Sequence, residues 1–231
     1  MADEENQQEY QLINEAGQVT LNKFIIEFSE TVKKSYGYSG KGVATYPNGD
    51  VYDGPYVNGQ RHGENGTYKF NNKNATEEQQ DMYRGEWSCN SKSGIGKMIY
   101  VGKGTYYGYW ENDERNGEGV MTYVNQDVYS GNWKNGKKHG QGTYVFFETG
   151  MKFVGKWNNG QMAEGEWKYP NGTKFIGRFD NNQPKGKGKW TFENGNVVEG
   201  EYNQTRRADM DNNDIRLAWK TTSDITKAPA E

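Results

Sequence analysis

Cysteine is almost missing from this sequence, in which Cys89 stands alone among 231 residues. A single thiol excludes an internal disulfide framework and fits a reducing compartment. Long apolar runs are missing as well, and none approaches the ~18 residues of a membrane-spanning helix. The opening MADEENQQEY is acidic and polar, unlike a secretory signal. Histidine occurs only as His62 and His139, which cannot fill a three-ligand zinc site without suitably spaced carboxylates. Net charge is −3, so no global basic field argues for nucleic acid. Hydrophobic residues make up only 32%, leaving few Leu, Ile and Val for a thick aliphatic core.

What is abundant is aromatic rings and glycine: 17 Tyr, 7 Trp and 31 Gly. Rings supply buried area, so an ordered fold is expected where polarity alone would suggest disorder. Both residue types recur in phase. The pattern aromatic-x-Gly-x-aromatic appears as Tyr52-Gly54-Tyr56, Tyr83-Gly85-Trp87, Tyr106-Gly108-Trp110 and Tyr129-Gly131-Trp133. It continues as Phe153-Gly155-Trp157, Phe175-Gly177-Phe179 and, more weakly, Val198-Gly200-Tyr202. Glycines at 54, 85, 108, 131, 155, 177 and 200 are separated by 31, 23, 23, 24, 22 and 23 residues. A second glycine series, Gly42, Gly66, Gly96, Gly119, Gly142, Gly165 and Gly188, runs between them. The one long gap holds NNKNATEEQQD, a polar stretch that reads as a loop inserted at a hairpin tip.

Residues i, i+2 and i+4 of a strand share a face, so each triplet lines one side of a strand. Glycine weakens a strand unless something approaches closely there, and a ring from the next repeat is the expected visitor. YPNGD, YPNGT and FENGN supply Asn-Gly turn chemistry between strands. Each unit is thus a hairpin that cannot bury its own face, and stacking buries the faces jointly. The predicted fold is all-β: an elongated single-layer solenoid of stacked antiparallel hairpins. Residues 1–38 form an N-terminal extension and cap, 39–203 the array of about seven repeats with an insertion at 71–81, and 204–231 a polar C-terminal tail. Leu21, Phe24, Ile25, Phe28 and Val32 have helical spacing, which predicts a short amphipathic helix over about 20–34. The β-branched pair Ile25-Ile26 favours a strand instead.

YSGNWKNGKKHGQG, residues 129–142, resembles the MORN repeat (membrane occupation and recognition nexus), whose pattern is roughly Y-x-G-x-W-x-N-G-x-x-H-G-x-G. YDGPYVNGQRHGENG matches it with one extra residue. Later copies depart from it: Ala163 replaces a glycine, Pro184 and Lys185 stand near the His position, and Ser91–Gly94 lacks the histidine. The segment KKHGQGTYVFFETGMKFVGKWNNGQMAEG also resembles the radial spoke head proteins of motile cilia, in its HGQGTY, its E-T-G turn and its N-G-Q turn. That resemblance implies a scaffold in the axoneme, within the cytoplasm and cytoskeleton. Its implied partners are other radial spoke head proteins and a second copy of the chain, with no nucleic acid. The alternative reading is a membrane-associated adaptor for anionic phospholipids, in which Arg61, Lys137, Lys138 and His139 form a basic edge of turn residues.

Catalytic and cofactor patterns fail in detail. GMKFVGKW, residues 150–157, imitates a phosphate-binding loop, but Trp157 stands where the magnesium-binding Ser or Thr belongs. DMDNND, residues 209–214, starts like a calcium loop, yet Asp214 and Lys220 occupy the turn-glycine and glutamate positions. No catalytic residue, cofactor or metal is expected.

Overall fold

The computed structural model describes residues 11–14, 19–21, 24–26, 37–72, 76, 79–206 and 215–227. All regular structure among them is antiparallel β, as the alternation predicts. Two compact units divide the chain, Met1–Gly117 and Glu118–Glu231.

In the first unit, β1 (Gln11–Asn14) pairs with β2 (Val19–Leu21), and β2 pairs with β3 (Phe24–Ile26). The predicted helix over about 20–34 is therefore corrected where it is described, because residues 20–21 and 24–26 lie in strands. The rest of that segment lies outside the described residues. Val19, Thr20, Ile25 and Ile26 are β-branched, and their preference for pleated surfaces overrides the helical spacing of Leu21, Phe24 and Ile25. β1 also lies along β4 (Gly40–Thr45), with Leu12 opposite Ala44. A meander follows through β5 (Val51–Val57), the short β6 (Gln60–Arg61), β7 (Gly63–Lys69), β8 (Met82–Ser88), β9 (Ser91–Tyr100) and β10 (Gly104–Glu111). Lys69 pairs with Met82, so the polar insertion connects β7 to β8 at a hairpin tip. β11 (Glu114–Tyr123) contains the boundary between the units.

The second unit is itself a meander of β12 (Val128–Lys134), β13 (Lys137–Val145), β14 (Lys152–Asn158), β15 (Gln161–Lys168), β16 (Lys174–Asp180), β17 (Gln183–Thr191) and β18 (Asn196–Arg206). The chain then folds back on β18 as β19 (Ile215–Thr221) and β20 (Thr226–Lys227).

Two kinds of turn alternate along the meander. At one end, two residues with positive φ close the hairpin, as at Asn135-Gly136, Asn159-Gly160 and Asn181-Asn182. That left-handed pair is the conformation whose twist matches flanking strands, and asparagine and glycine adopt it most readily. At the other end, longer turns are held by a side chain that mimics backbone. Asn48 Oδ1 accepts from Asp50 N, Asn125 Oδ1 from Asp127 N, and Asn171 Oδ1 from Thr173 N.

The two glycine series, out of phase in sequence, merge into one cross-strand row within each unit. Gly42 faces Gly54, Gly66 faces Gly85, Gly85 faces Gly96 and Gly96 faces Gly108. In the second unit the row runs Gly131–Gly142–Gly155–Gly165–Gly177–Gly188–Gly200. Beside it stands a row of large side chains: Tyr129, Tyr144, Phe153, Trp167, Phe175 and Trp190. The core is therefore the aromatic front face of a sheet, not a space between two layers.

Candidate functional site

The glycine row makes room for the chain's own tyrosines. Tyr129 leans along its strand over Gly131 and Gly142, and a Cβ on Gly142 would lie 2.7 Å from Tyr129 Cζ. The phenol then donates to the carbonyl of the residue three further on. Tyr52 Oη lies 3.0 Å from Pro55 O, Tyr83 Oη 2.9 Å from Glu86 O, Tyr106 Oη 3.0 Å from Tyr109 O and Tyr129 Oη 2.9 Å from Asn132 O. The expected ring from the next repeat arrives too, and a Cβ on Gly66 would lie 2.5 Å from Trp87 Cδ1. Trp87 stacks edge-to-face on Tyr52 at 5.3 Å, and Trp157 on Tyr129 at 5.1 Å. Each such indole also bonds backwards: Trp87, Trp110, Trp133 and Trp157 Nε1 donate to Gly66, Gly96, Gly119 and Gly142 carbonyls at 3.0–3.2 Å. Only glycine leaves that carbonyl open to a bulky ring.

A bulge completes the motif. Gly131 faces Gly142, yet Trp133 faces Lys138, so the register shifts between them. Gly140, the glycine after His139, takes φ +62° inside this bulge. The shift sets Lys138 among rings on the front face. Its Nζ lies 4.6 Å from the Trp157 ring centroid, 4.7 Å from Tyr144 and 5.5 Å from Tyr129. The same place is taken in other repeats by Arg61, 4.5 Å from Trp87 and 5.0 Å from Tyr68, and by Lys92, 5.3 Å from Trp110. Arg115 lies over Tyr100 and Tyr106. Each cation stands seven residues after its anchor glycine, since 61−54, 92−85, 115−108 and 138−131 are equal. In the next two repeats that position is Met162 and Pro184, both buried.

Neighbouring turns are stitched beside these boxes. Arg61 N donates to Asn90 Oδ1 at 2.9 Å, Lys92 N to Asp113 Oδ1 at 3.0 Å and Met162 N to Asn182 Oδ1 at 2.9 Å. Lys92 Nζ also pairs with Asp113 at 3.4 Å. At the opposite end, two buried carboxylates tie a turn to the next hairpin. Asp50 accepts from Tyr68 Oη and Asn71 N, both at 2.7 Å. Asp127 accepts from Tyr144 Oη at 2.7 Å and Phe147 N at 2.8 Å.

The electrostatics follow from burial. Desolvation pushes the Lys138 ammonium down to about 8. It pushes the Tyr52, Tyr83, Tyr106 and Tyr129 phenols well above their ordinary range. Burial also pushes Asp127 up, but hydrogen bonds from Phe147, Tyr144 and Asn125 prevail and hold it below the usual carboxylate value.

All eleven stacking aromatics expected from the sequence are buried: Tyr52, Tyr83, Trp87, Tyr106, Trp110, Tyr129, Trp133, Phe153, Trp157, Phe175 and Phe179. The basic edge is corrected. Arg61 and Lys138 lie in aromatic boxes, while Lys137 is exposed and His139 half-buried. The physical reason is the bulge, which a reading of turn residues alone does not supply. Lys92, Arg115, Asp50 and Asp127 belong to the architecture without having been singled out as sites from the sequence. The seven-residue offset could have found the first two, and the D of N-G-D and N-Q-D the carboxylates.

Among the described residues, no group of three or more His, Cys, Asp or Glu side chains could hold a metal ion. No described helix is long and apolar enough to cross a membrane. No curated protein matches the sequence closely enough to stand beside it as a relative. The MORN repeat family model matches seven segments, residues 35–51, 52–75, 83–105, 106–128, 129–148, 153–174 and 175–197. With its strand pairs, glycine rows and cation-filled boxes recurring in step with those segments, the chain belongs to the MORN-repeat family.

Proposed function

We propose that this chain is a non-enzymatic scaffold subunit of the axonemal radial spoke head, supporting ciliary or flagellar motility. MORN repeats are protein-interaction scaffolds, and seven of them make up most of this chain. The observation that carries the finer reading is the segment from His139 to Gly165. Its E-T-G spelling forms a turn of its own, in which Phe146 N bonds Met151 O at 2.9 Å and Gly150 N bonds Phe146 O at 2.8 Å. Other radial spoke head proteins, and a second copy of the chain, are the partners this reading implies.

The front face supports a structural role for the conspicuous chemistry. Tyrosine hydroxyls bond carbonyls, indole N–H groups bond glycines, and the cations of the boxes face rings of their own chain. The phospholipid alternative drew on four basic turn residues, and two of these turn inward. Immunolocalisation in ciliated cells tests the proposal. Signal along the axoneme is expected, and a protein confined to membranes or diffuse cytosol would overturn it.

A further inference from the structure

The back face of the second unit differs sharply from its front. Successive same-face residues there are charged rather than aromatic, and the charge is predominantly positive. Lys152, Lys168 and Lys174 stand directly opposite one another on β14, β15 and β16. Neighbouring strands lie ~4.8 Å apart, so these three form a tight row. Lys156 and Arg178 flank Glu164 in a parallel row. On β17, Lys189 faces Ile176 on one side and Glu199 of β18 on the other, and Lys187, two residues away on the same face, stands opposite Glu201.

On β14–β16 negative charge does not balance this face. Glu166 is shared by Lys168 at 2.6 Å and Lys174 at 3.8 Å. Among the described residues, no ion pair reaches Lys152, Lys156, Arg178, Lys187 or Lys189. The unmatched cations are mostly exposed, whereas Val154 and Ile176 between them are half-buried. No aromatic side chain lies on this face of β14–β17, since the rings of those strands occupy the alternate positions. The face therefore offers no ring for base stacking and no exposed apolar anchor for insertion into a bilayer.

We propose that the back face of β14–β17 docks an extended acidic segment of a partner protein. An extended chain presents side chains on one side every ~6.8 Å, the spacing of Lys187 and Lys189 along their strand. Carboxylates on such a segment replace the counter-ions that the unpaired lysines lack. This surface rests on the scaffold reading and names the chemistry of one partner.

The test uses the full chain and a fluorescently labelled glutamate decamer, with binding followed by anisotropy. A glutamine decamer, phosphatidylcholine vesicles containing phosphatidylserine, and a short RNA form the comparison arms. The glutamate peptide is expected to bind, and binding weakens as salt rises. The triple variant Lys152→Glu/Lys156→Glu/Arg178→Glu, which reverses three cations that no ion pair reaches, loses roughly tenfold or more in affinity. Lys137→Glu, outside these four strands, leaves it unchanged. If reversal disturbs folding, seen as altered tryptophan emission, the milder variant with glutamine at the same three positions replaces it and still weakens binding. No binding of the glutamate peptide, equal binding by the triple variants, or binding by vesicles or RNA alone would overturn the proposal. Absence from axonemes with intact peptide binding sinks the spoke reading and leaves the docking surface. Axonemal signal without peptide binding does the reverse.

Discussion

At the scale of single residues, a repeat is a set of close approaches that glycine alone permits. Gly142 sits under Tyr129 and leaves its carbonyl free for the Trp157 indole. Gly142→Ala is expected to destabilise by about 2–3 kcal/mol, because neither the ring nor the paired Gly131 backbone can retreat. Gly160→Asn is the contrast, since Asn182 already holds the equivalent turn position at φ +59°. Its cost should stay within about 0.5 kcal/mol. Urea denaturation separates the two. Lys138 follows similar logic. The chain fills the matching position with Met162, so Lys138→Met should cost less than about 1.5 kcal/mol. Lys138→Glu, which turns a carboxylate towards ring faces, should cost about 2–3 kcal/mol. pH distinguishes the native lysine from methionine. Burial holds the folded ammonium near 8, below its ordinary 10.5, so between these values the unfolded chain binds more protons. Stability from this group therefore rises with pH across that window. Wild type should gain on Lys138→Met in urea midpoint from pH 8 upwards, and parallel curves would refute this. The buried phenols act oppositely. Their folded protons persist above the ordinary 10.0, so both proteins lose stability as pH rises beyond that value.

At the scale of elements, the last hairpin shows how the second unit ends. Ile215, Leu217 and Trp219 alternate in a segment assigned from sequence to the polar tail. In the structure Ile215–Thr221 is β19, with Trp219 opposite Tyr202 and 6.0 Å from the Phe175 ring. Trp219 also lies against Gly200, as a ring of a further repeat would. Deleting residues 207–231 bares β18, whose open edge is then a template for pairing with other molecules. The truncated chain should elute as oligomers in size-exclusion chromatography, and a monomer as stable as the full chain would contradict this capping role. Trp219→Ala, at a half-buried site, should cost about 2 kcal/mol. The N-terminal strands teach a related lesson. Helical spacing over Leu21, Phe24 and Ile25 was legible, but pairing of β2 with β3 decides between two local preferences, and pairing is a property of the fold.

At the scale of the whole molecule, contacts run from each hairpin to the next within each unit. Stability in such arrays is approximately a sum of repeat and neighbour terms. Hydrogen exchange of Gly142→Ala should therefore lose protection first in β12, β13 and β14, while β4 and β5 keep theirs. Uniform loss throughout the chain would show all-or-none unfolding instead. The sequence by itself determined the all-β repeat, its period of about 23, the aromatic anchors and the near absence of an aliphatic core. Those properties follow from local alternation and turn chemistry, which act within a few residues. Only the tertiary structure decided that two glycine series form one row and that Arg61 and Lys138 face inward. It alone gathered unpaired lysines from β14 to β17 on one face. Each of these depends on register across strands, and a bulge at Gly140 changes that register by a conformational choice the residue spacing does not reveal.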